Sequence, residues 1–185
     1  MGRLIFIIGG ARSGKSTFAQ QLAQKTSKNV VYIATAESLD EEMEKRIRNH
    51  QKIRPAEWAT IEAPFGIREK YIDAHVSYEV VIIDCLTLLV SNILMVTSEN
   101  EQPGETKAYE KLLKEFSEIM QTIHESDALW IIVSNEVGLG IVPGDLSSRI
   151  YRDLLGKLNQ WMAAQAEEVY FMVAGIPVPI QQHRI

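Results

Sequence analysis

A single cysteine, Cys85, stands in the 185 residues, so no disulfide can form within the chain and stability must come from an apolar core. A lone thiol fits a reducing compartment, and the sequence predicts a cytoplasmic protein. Long hydrophobic runs are missing as well. The longest, near Val80 and Leu129, are strand-sized, well short of the roughly 20 residues that cross a bilayer, which predicts no transmembrane segment. At the amino terminus, Arg3-Leu4-Ile5-Phe6-Ile7-Ile8 is too short for a signal-peptide core followed by a cleavage site. Basic blocks are absent too. The 19 Lys and Arg against 24 Asp and Glu give a net charge of −5, and no stretch is basic enough to form a nucleic-acid or membrane-surface patch. Any phosphate must therefore be held by local geometry. His75, His124 and His183 are scattered, and no spacing of His, Cys and acids suggests a structural zinc.

What the chain does have is apolar content, 46% of its residues, enough for one sizeable core and a single domain over 1–185. Short β-branched runs at Leu4–Ile8, Val30–Ala34, Val80–Ile83, Leu129–Val133 and Val169–Val173 predict buried parallel strands. Between them, Ser16–Lys25, Asp40–Ile53, Pro64–His75, Thr106–Ser126 and Ser147–Ala166 carry helical spacing and are long enough for crossovers. The expected fold is α/β, a mostly parallel sheet with helices on both faces. Pro177 and Pro179 exclude Gly175–Ile180 from a central strand and predict an edge strand, antiparallel to its neighbour, or an extended tail. Thr97–Glu105, with Pro103 and Gly104, predicts a flexible loop.

Gly9-Gly10-Ala11-Arg12-Ser13-Gly14-Lys15-Ser16 matches G-x-x-x-x-G-K-[ST] at every fixed position and lies between a buried strand and the start of a helix. That context predicts a P-loop NTPase fold of the RecA-like kind. The glycines let backbone N–H groups curl around phosphate oxygens, and the helix dipole adds partial positive charge. Lys15 would reach the β and γ phosphates, and the Ser16 hydroxyl would ligate Mg2+. Such a site needs an acid at the end of a neighbouring strand, and Val80-Val81-Ile82-Ile83-Asp84 supplies one. By position alone Asp84 could equally end a strand or cap a helix beginning at Cys85-Leu86-Thr87; the P-loop favours the metal role.

Two further segments carry polar groups. Ser134-Asn135-Glu136 sits at a strand's carboxyl end, where ligands of open α/β sheets bind, and predicts an active-site wall. The Gly138-Leu139-Gly140-Ile141-Val142-Pro143-Gly144 stretch after it has the wrong spacing for a dinucleotide fingerprint. In the segment from Asp40 to His50, the spacing Met43, Ile47, His50 puts the histidine on the apolar stripe of a helix, with Lys52, Arg54 and Pro55 following. By itself such a histidine reads as a hydrogen-bonded core or rim residue.

Taken in order, Gly9–Ser16, Tyr32-Ile33-Ala34-Thr35-Ala36, Arg46-Ile47 through His50, Arg54-Pro55, Trp58, Glu62 and Asn135-Glu136-Val137-Gly138-Leu139-Gly140-Ile141-Val142-Pro143 resemble the bifunctional adenosylcobinamide kinase/adenosylcobinamide-phosphate guanylyltransferase family. The resemblance continues through Leu86-Thr87, Asn92, Tyr151-Arg152-Asp153, Asn159-Gln160 and Ala174-Gly175-Ile176-Pro177, nearly the whole length. It implies phosphorylation of the aminopropanol hydroxyl of adenosylcobinamide by ATP or GTP, then GMP transfer from GTP onto that phosphate with release of pyrophosphate. His50 matches the histidine that carries GMP. A neutral imidazole, with an unperturbed pKa of about 6.5, is nucleophilic at cellular pH. The same resemblance implies nucleotide contacts at Gly9, Gly10, Ala11, Arg12, Ser13, Gly14, Lys15, Ser16, Ala34, Thr35, Ala36, Gln51, Lys52, Ile53, Arg54, Glu62 and Asp84, with Ser16 and Asp84 at Mg2+. Lys52 and Arg54 suit phosphate charge, and Glu62 could accept from guanine N1–H and N2–H2 or be a plain surface residue. Some members carry Glu where Asp84 stands; the shorter side chain decides between direct and water-mediated metal contact. The family forms a trimer, so the face of Leu154, Leu158, Trp161, Met162 and Gln165 is a candidate interface as well as core.

Two other function classes compete. A P-loop kinase of another small hydroxylated metabolite would use the cradle and Asp84 but not a nucleophilic His50. A motor or switch NTPase is opposed by the absence of Asn-Lys-x-Asp, of a basic DNA-binding loop, and of Asp-x-x-Gly beside Asp84; Asp153-Leu154-Leu155-Gly156 falls within a helix.

Overall fold

The computed structural model describes residues 2–37, 45, 51, 54–98 and 105–182. Their strands form one seven-stranded sheet in the order β3-β2-β4-β5-β1-β6-β7. The strands are β1 (Arg3–Gly9), β2 (Val30–Ala34), β3 (Ala59–Glu62), β4 (Val80–Asp84), β5 (Leu129–Asn135), β6 (Glu168–Val173) and β7 (Ile176–Gln182). All neighbours run parallel except β7, which is antiparallel to β6. The proline-bearing segment is therefore the edge strand that its sequence predicts. The helices are α1 (Lys15–Thr26), α2 (Ile67–Asp73), α3 (Leu86–Thr97), α4 (Glu105–Glu125) and α5 (Leu146–Gln165).

Strands β1, β2, β4 and β5 read as nearly unbroken apolar runs because both faces of the sheet are covered. Alternate residues part to opposite sides. Leu4, Phe6, Ile33, Ile83 and Trp130 face the helices α2, α3, α4 and α5, whereas Ile5, Ile7, Tyr32, Ile82 and Val133 face α1 and Trp58. No described helix is long and apolar enough to cross a membrane.

Two elements depart from the sequence expectation. The edge strand β3 has only Ala59 and Ile61 turned inward, with Thr60 and Glu62 exposed, too short an alternation to stand out. Helix α3 is apolar on nearly every side and lacks the polar stripe that marks an amphipathic helix. It lies between the sheet and the helices α4 and α5, burying Leu86, Leu89, Val90 and Ile93. The loop expected over Thr97–Glu105 is thereby shortened, since Thr97 closes α3 and Glu105 opens α4; residues 99–104 lie outside the described ones. Leu154, Leu158 and Met162 are buried within the chain, and the Trp161 ring packs edge-on against Phe116, so most of that stripe is core.

Local capping follows sequence. Asp145 accepts from the N–H of Ser148 at 2.8 Å and opens α5. At the start of α2 the N–H groups of Gly66 and Ile67 donate to the buried Glu115 of α4, at 3.0 and 2.8 Å. These parallel connections bring the carboxyl ends of β1, β2, β4 and β5 to one edge of the sheet. Gly9 stands level with Asn135, and Ala34 with Asp84.

Candidate nucleotide-binding site

The chain leaves β1 at Gly9 and curls before entering α1. Ser13 N–H donates to Gly10 O at 3.2 Å, and Arg12 and Gly14 take positive φ angles of 58° and 95°. At Gly14 a side chain is excluded twice over, by the left-handed backbone and by Gly175 Cα, 3.2 Å from where a Cβ would stand. Gly175, in the β6–β7 turn, also donates its N–H to Ser13 O at 2.9 Å, so the hairpin buttresses the loop. No side chain caps the start of α1, which leaves its first N–H groups and the dipole's positive end open to an anion. Lys15 is buried, and its Nζ donates to Gly10 O at 2.7 Å. Burial lowers the lysine's pKa, opposed by the nearby Cys85 and Asp84. Ser13 Oγ is buried without a hydrogen-bond partner.

Facing this loop is a wall built by β2 and β4. The Tyr32 hydroxyl donates to Asp84 Oδ2. Burial first, and then the Asp84 charge, push the phenol well above its ordinary pKa, so it stays protonated as a donor. Across the same ring lies the Arg54 guanidinium, 3.6 Å from the centroid. Arg54 Nε and Nη1 are buried and have no hydrogen-bond partner. Thr35 stitches the wall together: its hydroxyl accepts from Cys85 N–H at 2.8 Å and donates to Cys85 O at 2.7 Å, while Asn92 Nδ2 donates to Thr35 O at 2.8 Å. Burial, then Asp84, push the Cys85 thiol up to about 11, which keeps it neutral.

Loop and wall enclose a cavity of about 430 Å³, in the range of small-molecule sites. Of the residues expected to contact nucleotide, Ala11 through Ser16, Ala34, Ala36, Arg54 and Asp84 line it, and so does Asn135 from the wall expected after β5. Gly9 and Gly10 are not on the lining; Gly10 O accepts from Ser13 N–H and Lys15 Nζ within the loop. Thr35 sits beside the cavity with its hydroxyl turned to Cys85, and Ser134 is buried away from it, donating to Asn159 Oδ1 at 2.7 Å. The Leu139, Ile141 and Val142 side chains of the following loop are exposed and do not line it. Gln51 is helical and exposed, outside the lining. Glu62, exposed at the end of β3, stands level with Ala34 but not on the cavity. His50, Lys52 and Ile53 lie outside the described residues.

Sequence reasoning did not single out Tyr32, Thr17, Cys85, Thr87 or Leu88 as lining residues. For Tyr32 a signal existed, because it shares the period of two with Ala34 and Ala36. Among the described residues no three His, Cys, Asp or Glu side chains cluster as a metal cage. One carboxylate and one hydroxyl, Asp84 and Ser16, are instead the sparse oxygen set that suits Mg2+ sharing its shell with phosphate and water.

The family described as cobinamide kinase / cobinamide phosphate guanyltransferase matches residues 5–180. The chain belongs to this family. The match runs from inside β1 to inside β7, so the P-loop, Asp84 and the hairpin buttress of this cobinamide kinase / guanyltransferase fold all fall within it. Among similar proteins, the bifunctional adenosylcobalamin biosynthesis protein CobP of Pseudomonas aeruginosa is 40% identical over 176 residues, covering 95% of each chain. Those called CobU are 38% identical in Escherichia coli and 35% in Salmonella typhimurium, each spanning 96% of this chain and 99% of the relative.

Proposed function

We propose that this protein phosphorylates adenosylcobinamide with ATP or GTP and then transfers GMP from GTP onto the new phosphate, giving adenosylcobinamide-GDP and pyrophosphate. In a chain of this family, the observation that carries the reading is the cavity where the P-loop, Lys15, the unpaired Arg54 nitrogens and Asp84 converge. A buried donor without a partner costs about 1–3 kcal/mol, more when charged, so Arg54 and Ser13 are groups an anionic ligand would satisfy. The first N–H groups of α1 and Lys15 would share the triphosphate with them.

In the first step the substrate hydroxyl attacks the γ phosphorus, the bond to the β–γ bridging oxygen breaks, and the nucleoside diphosphate leaves. Asp84 and the nucleotide's own phosphates are the candidate acceptors of the hydroxyl proton. In the second step a His50 ring nitrogen attacks the α phosphorus of GTP and pyrophosphate leaves. A phosphate oxygen of the phosphorylated corrinoid then displaces the imidazole, breaking the P–N bond and regenerating the histidine. Ser16 and Asp84 would hold Mg2+, which supplies positive charge against the phosphate oxygens. Glu62, four strand spacings or about 19 Å across the sheet from β1, would accept from the guanine edge. The reading includes a cytoplasmic homotrimer; the exposed Ile176, Val178 and Ile180 on edge strand β7 support an interface between copies.

Incubation with GTP labelled in the α phosphate, followed by denaturation and peptide mapping, tests the histidine step. The expected result is acid-labile, base-stable GMP on His50, absent from His50→Ala. GTP binding without covalent label would overturn the guanylyl transfer and leave a P-loop kinase.

A further inference from the structure

Arginine and aspartate side chains on one cavity wall would be expected to find each other, since a guanidinium and a carboxylate form a strong bidentate pair. Arg54 and Asp84 both line the cavity, yet no ion pair joins them among the described residues. Tyr32 stands between them. Its ring face carries the guanidinium at 3.6 Å, and its hydroxyl occupies Oδ2 of the carboxylate. The phenol is a rigid spacer, with 1% of its surface exposed and its strand paired on both sides, to Thr60 of β3 and Ile82 of β4. It has few ways to move. The consequence for the charges is visible: Arg54 Nε and Nη1 have no hydrogen-bond partner, and among the described residues Tyr32 is the side chain that donates to the Asp84 carboxylate, at Oδ2.

We propose that Tyr32 is a positioning residue of the phosphoryl-transfer site, holding Arg54 and Asp84 apart so that the guanidinium is kept for nucleotide phosphates and the carboxylate for a cation. The proposal rests on the nucleotide-binding reading of this cavity. Without the hydroxyl, Asp84 loses its tether and is free to pair with Arg54, taking from the nucleotide a cationic donor and from the metal a ligand. Tyr32→Phe keeps the ring under the guanidinium and removes only the tether.

A double-mutant cycle read by GTP binding, with and without Mg2+, distinguishes this from a structural role. In Tyr32→Phe, affinity for GTP without Mg2+ should fall by about tenfold, the scale of one charge-assisted hydrogen bond lost to a competitor. The Mg2+ concentration that restores half-maximal binding should rise. In an Asp84→Asn background, which removes the competing carboxylate, Tyr32→Phe should have no further effect on metal-free affinity. Arg54→Gln should abolish the effect in the same way. A simple packing role predicts an equal loss in all backgrounds, with a lower melting temperature, and would overturn the proposal. So would unchanged affinity in Tyr32→Phe. If the wild-type protein itself bound no nucleotide, the reading of the cavity would fall first, before the variants were compared.

Discussion

On one face of the sheet, Phe6, Ile33, Ile83 and Trp130 pack beneath α2, α3, α4 and α5; on the other, Ile7, Tyr32, Ile82 and Val133 meet α1 and Trp58. The heavily covered face contains no lining residue from its strands. The other face gives Tyr32 and Ala34 to the cavity, with Asp84 and Cys85 at the carboxyl end of β4, and α1, the long helix on that face among the described residues, supplies Lys15 and Ser16. Stability and ligand handling are thus assigned to opposite sides of the same strands.

Three substitutions test that division. Phe116 of α4 is fully buried on the helical face, and Phe116→Ala should lower unfolding free energy by about 3–5 kcal/mol in urea denaturation, with GTP affinity of the folded fraction unchanged. Lys15→Ala should show the reverse: phosphoryl transfer reduced by roughly 10²–10³-fold, as for loss of a preorganised charge donor, with the denaturation midpoint nearly unmoved. Phe18 of α1 is only half-buried, its ring edge-on to Tyr170 at 5.2 Å, so Phe18→Ala should cost about 1–2 kcal/mol. A loss as large as that of Phe116→Ala would mean that the two faces share the stability and would break the comparison.

The sheet was legible because strands buried on both faces leave contiguous apolar runs, and the P-loop because its residues are contiguous in the chain. The place of Asp84 at the end of a strand was legible from the apolar run before it, but a role for it was suggested only by the P-loop, not by its position. Other features depend on proximity that no local pattern encodes. Arg54 reaches Tyr32 only once β2 is in place, and the exposed β3 and the all-apolar α3 lack the contrast that periodicity detects. Glu62 came from family resemblance alone, and its position beyond the cavity makes it a question about the base, separate from the phosphates.

Strand β1 precedes every other described strand, yet its two partners are β5 and β6, encoded far downstream. On the ribosome the apolar run Leu4–Ile8 therefore emerges with both edges bare and waits through most of translation for a neighbour. The phosphate loop attached to β1, whose backbone leans on the β6–β7 turn, acquires its shape only when that late hairpin arrives. The loop is thus complete only in a chain folded through Gly175, and nucleotide binding reads out that the last hairpin has docked.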